Sequence, residues 1–226
     1  MEHKKDENKR DLGTSLIKSV LSNGGADIVG DVAKLAFDTA LDNDILKDIP
    51  VFGWFIKGYG LVSTVRDRIF LKKIALFLKG ASACGNTSEL VEEMKDPTFC
   101  QKAGEDLLLL LDRHDNFDKA IVLGKVFKGY LLGMIDYDMF LRIAASIDRA
   151  LIADLNSLTT YYDNIKSYEE APKVVGGVRF KDFINDEVTQ SLCNAGLAFS
   201  SNSVAEDVCT RTVVGTNLIH LLYEAV

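Results

Sequence analysis

Apolar residues recur every three or four positions along most of this chain, the spacing that lines one face of a helix. Leu16, Ile17, Val20 and Leu21 set the first such stripe, which Asn23-Gly24-Gly25 stops. Ile28, Val32, Leu35, Ala36 and Thr39 form a second, with Asp31, Lys34, Asp38 and Asp42 off it. Pro50 suits a first helical turn, where its missing N–H is not needed. The segment 51–79 follows as one aromatic, glycine-rich and then basic stretch, with Gly80 as its cap. Ser88 opens a short helix through Lys95, and Asp96-Pro97 interrupts it. Helices are predicted over 98–113 and 117–132, the second between Asn116 as N-cap and Gly133 as stop. Phe140, Ile143, Ala144, Ile147, Leu151, Leu155 and Leu158 keep helical spacing and predict one long helix capped by Asp136 or Asp138.

Beyond residue 165 the pattern changes. Pro172 and Gly176-Gly177 suggest a loop or short β element, and a helix follows over about 180–194. Then come Gly196-Leu197-Ala198-Phe199, a polar stretch, the β-branched run at 210–214, and a helix over 216–223. This order resembles the end of a winged-helix unit. The reading is therefore mainly α: a helical bundle followed by a small winged-helix-like C-terminal region with short β elements. Residues 1–11 read as a disordered tail, 12–165 as the helical domain and 172–226 as the winged-helix-like region, or the whole as one continuous domain.

Composition narrows the function classes. The 226 residues are 47% hydrophobic and 26% charged, enough to bury a core and too apolar for a disordered chain. The net charge of −7 disfavours a non-specific nucleic-acid binder. The charged N-terminus has no apolar run behind it, so no secretory signal is expected. The longest apolar stretch, Ile49 to Val65, is interrupted by Lys57, Pro50 and three glycines and is too short to span a bilayer. Cys84, Cys100, Cys193 and Cys209 are scattered without metal-ligand spacing and read as reduced thiols of a cytoplasmic protein.

Candidate chemistry is sparse. His114 lies in Asp112-Arg113-His114-Asp115, a weak trace of metal-dependent phosphohydrolase chemistry, but only His3 and His220 could join it. Its bland reading is a histidine placed favourably at a helix C-terminus. No GxSxG and no GxxxxGK[ST] occurs, and Gly124-Lys125 sits inside a helix where packing explains the glycine. Asp136, Asp138, Asp148 and Asp154 read as caps and solvated face, and Cys193 has no basic neighbour in sequence. No catalytic residue, metal or cofactor is implied.

Charge distribution is the feature to explain. Lys57, Arg66, Arg68, Lys72, Lys73 and Lys79 against Asp67 make segment 51–79 carry +5, leaving −12 for the rest. In the bland reading Lys72, Lys73 and Lys79 face solvent while Leu61, Val65, Ile69, Leu76 and Phe77 fill the core. In the membrane reading Trp54, Phe55 and Tyr59 are interfacial anchors and the cations meet lipid phosphates, at about 1 kcal/mol each. That places the protein at the inner membrane face. In the partner reading the same patch, Trp54, Phe55, Lys57, Tyr59, Arg66, Arg68, Lys72, Lys73 and Lys79, binds an acidic protein or nucleic acid. Binding to DNA through the C-terminal region is disfavoured, because Arg179, Lys181 and Arg211 sit among Asp182, Asp186, Glu187, Glu206 and Asp207.

Ile49-Pro50-Val51 before a glycine-rich turn, the basic Val65-Arg66-Asp67-Arg68-Ile69-Phe70, Ala195-Gly196-Leu197 and Val214-Gly215 together resemble the bacterial abortive-infection alpha proteins. The resemblance covers about half the chain, its middle and its C-terminus, through short patterns. It implies a helical bacterial or prophage protein of phage defence rather than a metabolic enzyme, and it carries over no catalytic residue. The expected function is thus non-enzymatic contact through the basic aromatic segment. The alternatives are a DNA-binding regulator, or an enzyme built from scattered residues with Asp112, His114 and Asp115 as candidates.

Overall fold

The computed structural model describes residues 2–22, 46, 48–59, 64–81, 92–170, 186–202 and 207–224, some by backbone alone. They divide into two compact units, Met1–Asp136 and Tyr137–Val226. The division falls earlier than the sequence reading of 12–165 and 172–226, because two helices assigned to the bundle pack with the C-terminal elements.

The first unit contains α1 (Glu2–Leu21), α2 (Pro50–Tyr59), α3 (Val65–Ala81), a 3-10 turn at Glu92–Lys95, α4 (Pro97–Arg113) and α5 (Phe117–Leu131). Helix α1 already begins at Glu2, so the charged run read as a tail is helical. Lys, Glu and Arg are good helix formers, and seeding by the apolar turns behind them lets the helix extend. Pro50 does open a helix, and its neighbour Val51 donates its N–H to the Ser19 hydroxyl at 3.0 Å, which ties α2 to α1. Asp96 caps α4 through the Thr98 N–H, with Pro97 in the first turn. Asn116 caps α5 as the sequence suggests, and Gly133 ends it at φ 70°.

Segment 51–79 is not one stretch but two helices. Thr64 accepts the Asp67 N–H at 3.1 Å while the Asp67 carboxylate accepts the Thr64 N–H at 3.2 Å, a reciprocal capping box that starts α3 afresh. Gly80 lies inside α3 rather than capping it. A Cβ there would strike the Ile121 carbonyl, and one at Gly124 would strike the Phe77 carbonyl, so α3 and α5 touch backbone to backbone. Gly13 and Gly104 bring α1 and α4 together in the same way. Leu16, Ile17, Phe52, Leu71, Ile74, Phe77, Leu107, Leu111, Leu123 and Phe127 form the buried core of this unit.

The second unit contains α6 (Tyr137–Arg149), α7 (Ile152–Glu170), α8 (Asp186–Ala195), β1 (Ala198–Asn202), β2 (Asp207–Arg211) and α9 (Val213–Ile219), which runs on as a π turn through Glu224. The single long helix expected after Asp136 is therefore two, broken at Ala150–Leu151, where exposed Leu151 supplies the carbonyl that starts α7. Strands β1 and β2 form an antiparallel ladder with Ala198 opposite Arg211 and Asn202 opposite Asp207. The last helix begins at Val213, earlier than position 216, because Thr212 caps it through the Gly215 N–H.

Two of the short patterns noted in the sequence meet here. Gly196, at φ 80°, ends α8, and the Leu197 carbonyl accepts both the Tyr162 hydroxyl at 2.5 Å and the Thr212 hydroxyl at 3.0 Å. A Cβ on Gly215 would collide with the same Tyr162 oxygen and Leu197 carbonyl. The loop predicted at 171–178, with Arg179 and Lys181, lies outside the described residues.

Candidate interaction surface

Helix α3 presents its basic residues unevenly because its two sides meet different neighbours. Leu71, Ile74, Ala75, Phe77 and Leu78 face the core, and Gly80 presses on α5. The exposed side carries Val65, Ile69, Lys72 and Lys79 at intervals of four, three and seven, with Arg68 beside Ile69 and four positions before Lys72. Val65 is 75% exposed and Ile69 43%, so neither fills the core as the bland reading required. Both stand in the first two turns, which lead the buried part of the helix. Asp67, the one acid of this helix, is engaged as its cap.

Lys73 departs from the solvent-facing position expected for it. It is only 9% exposed, and its ammonium donates to the Asp112 carbonyl at 3.2 Å, covering a carbonyl in the last turn of α4. Arg66, one heptad before it on the same side, reaches the Asp112 carboxylate at 3.4 Å in a solvent-exposed pair. Such a pair contributes about 0–1 kcal/mol and leaves Arg66 at the surface. Lys72 is exposed and places its ammonium 4.5 Å from the centre of the Phe117 ring. Arg68 and Lys79 are exposed.

The aromatic part is less displayed. Trp54 and Phe55 are half-buried and meet edge to face at 5.4 Å, and Phe55 meets half-buried Phe70 of α3 at 6.3 Å. The Phe55–Phe70 contact joins α2 to α3. Lys57 and Tyr59 belong to α2, but their side chains lie outside the described residues. The structure thus gathers Arg66, Arg68, Lys72 and Lys79 on one helix and withdraws Lys73 from them. Exposed Val65 and Ile69 were missed as surface residues, and the signal was the Thr-x-x-Asp box that ends at Asp67.

The other chemistry candidates are engaged separately. His114 is buried just past the end of α4, where its backbone N–H donates to the Leu110 carbonyl at 3.2 Å. Asp112 takes Arg66, and Asp115 pairs at 2.9 Å with the deeply buried ammonium of Lys119. That hydrogen bond leads in holding the Asp115 carboxyl below its ordinary range. Cys100 donates to the Met94 carbonyl at 3.0 Å, and burial, helped by nearby Asp96, pushes its thiol up, which makes it a poor nucleophile. Asp154, buried in the first turn of α7, accepts the Ser191 hydroxyl, while Cys193 is half-buried on α8. Among the described residues no three His, Cys, Asp or Glu side chains are placed to share a metal ion. Among those residues, too, no helix is long and apolar enough to cross a membrane. In the C-terminal unit α8 carries Asp186 and Glu187 and no Lys or Arg.

Comparison with protein-family models, curated proteins and solved structures finds no match to this chain.

Proposed function

We propose that this chain is a non-enzymatic protein that works by contact, touching an anionic membrane surface or an acidic protein partner with the exposed side of α3. The observation that carries this is the pairing of displayed Val65 and Ile69 with exposed Arg68, Lys72 and Lys79 on a helix whose only acid is spent on its cap. Exposed apolar side chains rimmed by charge mark interaction sites. The core-facing side of α3 is already satisfied inside the unit, so contact is electrostatic and peripheral rather than an amphipathic helix sinking into lipid. Half-buried Phe55, backed by Trp54 of its own helix, joins α2 to α3 through Phe70.

The biological setting proposed is bacterial or prophage phage defence, on the strength of the short patterns at 49–51, 65–70, 195–197 and 214–215. The helix–strand–strand–helix order of the second unit supports a winged-helix-like module serving packing or protein contact. The acidic α8 argues against its reading DNA. The test is phage plating on bacteria expressing the full chain. Protection is expected from the wild type and its loss from Arg68→Glu with Lys72→Glu, at unchanged cellular level and helical content. Full protection by that variant would remove the α3 face, and no protection by the wild type would remove the defence setting.

A further inference from the structure

We infer that the contact face spans two helices, a cationic seam between α3 and α5, and that its occupant is an anionic phospholipid leaflet. The inference rests on the contact reading above and adds residues about fifty positions further along the chain. On α5, Phe117, Ile121, Gly124 and Lys128 follow one another by four, three and four positions and so share one stripe. The first three of them touch α3: Lys72 lies over Phe117, and a Cβ at Gly80 would meet Ile121 and Gly124. Lys128 continues this stripe by one turn, half-exposed, and Lys125 stands exposed beside it.

The matching stripe of α3 is Val65, Ile69, Lys72, Leu76 and Lys79, again at intervals of four and three. Lys72, Lys79, Lys125 and Lys128 therefore border a seam floored by half-buried Leu76, Phe117 and Ile121. Asp118, exposed next to Phe117, is the acid of α5 at this end.

The depth of the seam selects the occupant. A partner helix docks by sinking apolar anchors into a cleft. Here the backbones meet at Gly80 and Gly124, so the space between the helices is shallow and offers no such cleft. A broad shallow face of ammonium groups, with two short aliphatic side chains at one edge, instead suits a plane of phosphate headgroups. The charge of the remaining chain supports this choice. With −7 overall, the molecule as a whole is repelled by an anionic leaflet, so approach is favoured through a concentration of positive charge such as this face.

The experiment is co-sedimentation of the full chain with phosphatidylcholine vesicles, with and without phosphatidylglycerol. The wild type is expected to bind only the anionic vesicles and to be released by salt. Lys125→Glu with Lys128→Glu is expected to weaken binding by about tenfold or more. Lys125→Gln with Lys128→Gln, which adds no repulsion, is expected to fall between, with the far-UV spectrum unchanged for both. Absence of wild-type binding to the anionic vesicles overturns the lipid assignment, and the proposed function still stands if Arg68→Glu with Lys72→Glu abolishes protection. Wild-type binding by both α5 variants overturns the two-helix seam. Equal or tighter binding of duplex DNA or an acidic protein in competition overturns the leaflet as occupant.

Discussion

Tyr130 is almost fully buried, and its hydroxyl donates to Glu93 at 2.7 Å across the first unit. Burial first, and the bond to the Glu93 carboxylate second, push its ionisation far above the ordinary tyrosine value. A phenol kept neutral by folding contributes stability that is fully present below the unfolded value of about 10 and lost as the pH rises beyond it. Tyr130→Phe is therefore expected to cost about 1 kcal/mol at neutral pH and to flatten the loss of stability above about pH 10, as read by urea denaturation across pH. Asp115 acts in the opposite sense. Its carboxyl is lowered by Lys119, so its small contribution is present above the ordinary carboxylate range and fades as pH falls. Neither role is visible in a linear reading. Lys119 and Lys73 look like any surface lysine until α3, α4 and α5 are packed around them.

Elements were legible where local chemistry specifies them. The cap Asn116 and the stop at Gly133 act within four or five residues, and sequence spacing locates them correctly, whereas Asp96, read only as an interruption, is the cap of α4. The break at Ala150–Leu151 carries neither proline nor glycine and the apolar spacing runs through it, so nothing local announces it. Gly124 reads as a packing glycine and packs as expected, but Gly80 looks like a cap, and the sequence does not say that these two make the close approach between α3 and α5. Gly80→Leu should force these helices apart and destabilise the protein by about 3 kcal/mol, whereas Thr64→Ala should cost about 1 kcal/mol by removing the cap of α3. Thermal unfolding of the two variants checks the ranking. A Gly80→Leu protein as stable as the wild type would refute the backbone contact.

At the scale of the whole molecule, the chain divides into its two compact units after residue 136. Arg149 of α6 donates to the Ala195 carbonyl at 3.1 Å and Tyr162 of α7 to the Leu197 carbonyl at 2.5 Å, so both helices complete the unit that holds the hairpin. A fragment of residues 137–226 is expected to unfold cooperatively on heating, and one of residues 166–226 to show no transition. A cooperative transition in the shorter fragment would return the boundary to the neighbourhood of residue 165.

The sequence alone determined that this is a mainly helical chain with a concentration of positive charge in its middle, since periodicity, capping residues and net charge are properties of neighbouring positions. Which lysines are displayed, and which are consumed in packing, depended on the tertiary structure. Lys72 and Lys73 are adjacent in the chain, but one step along a helix turns a side chain by roughly 100°, from water over Phe117 to the Asp112 carbonyl at the end of α4. The same fold set Lys125 and Lys128 beside α3, a neighbourhood created by two glycines that lie 44 positions apart in the chain.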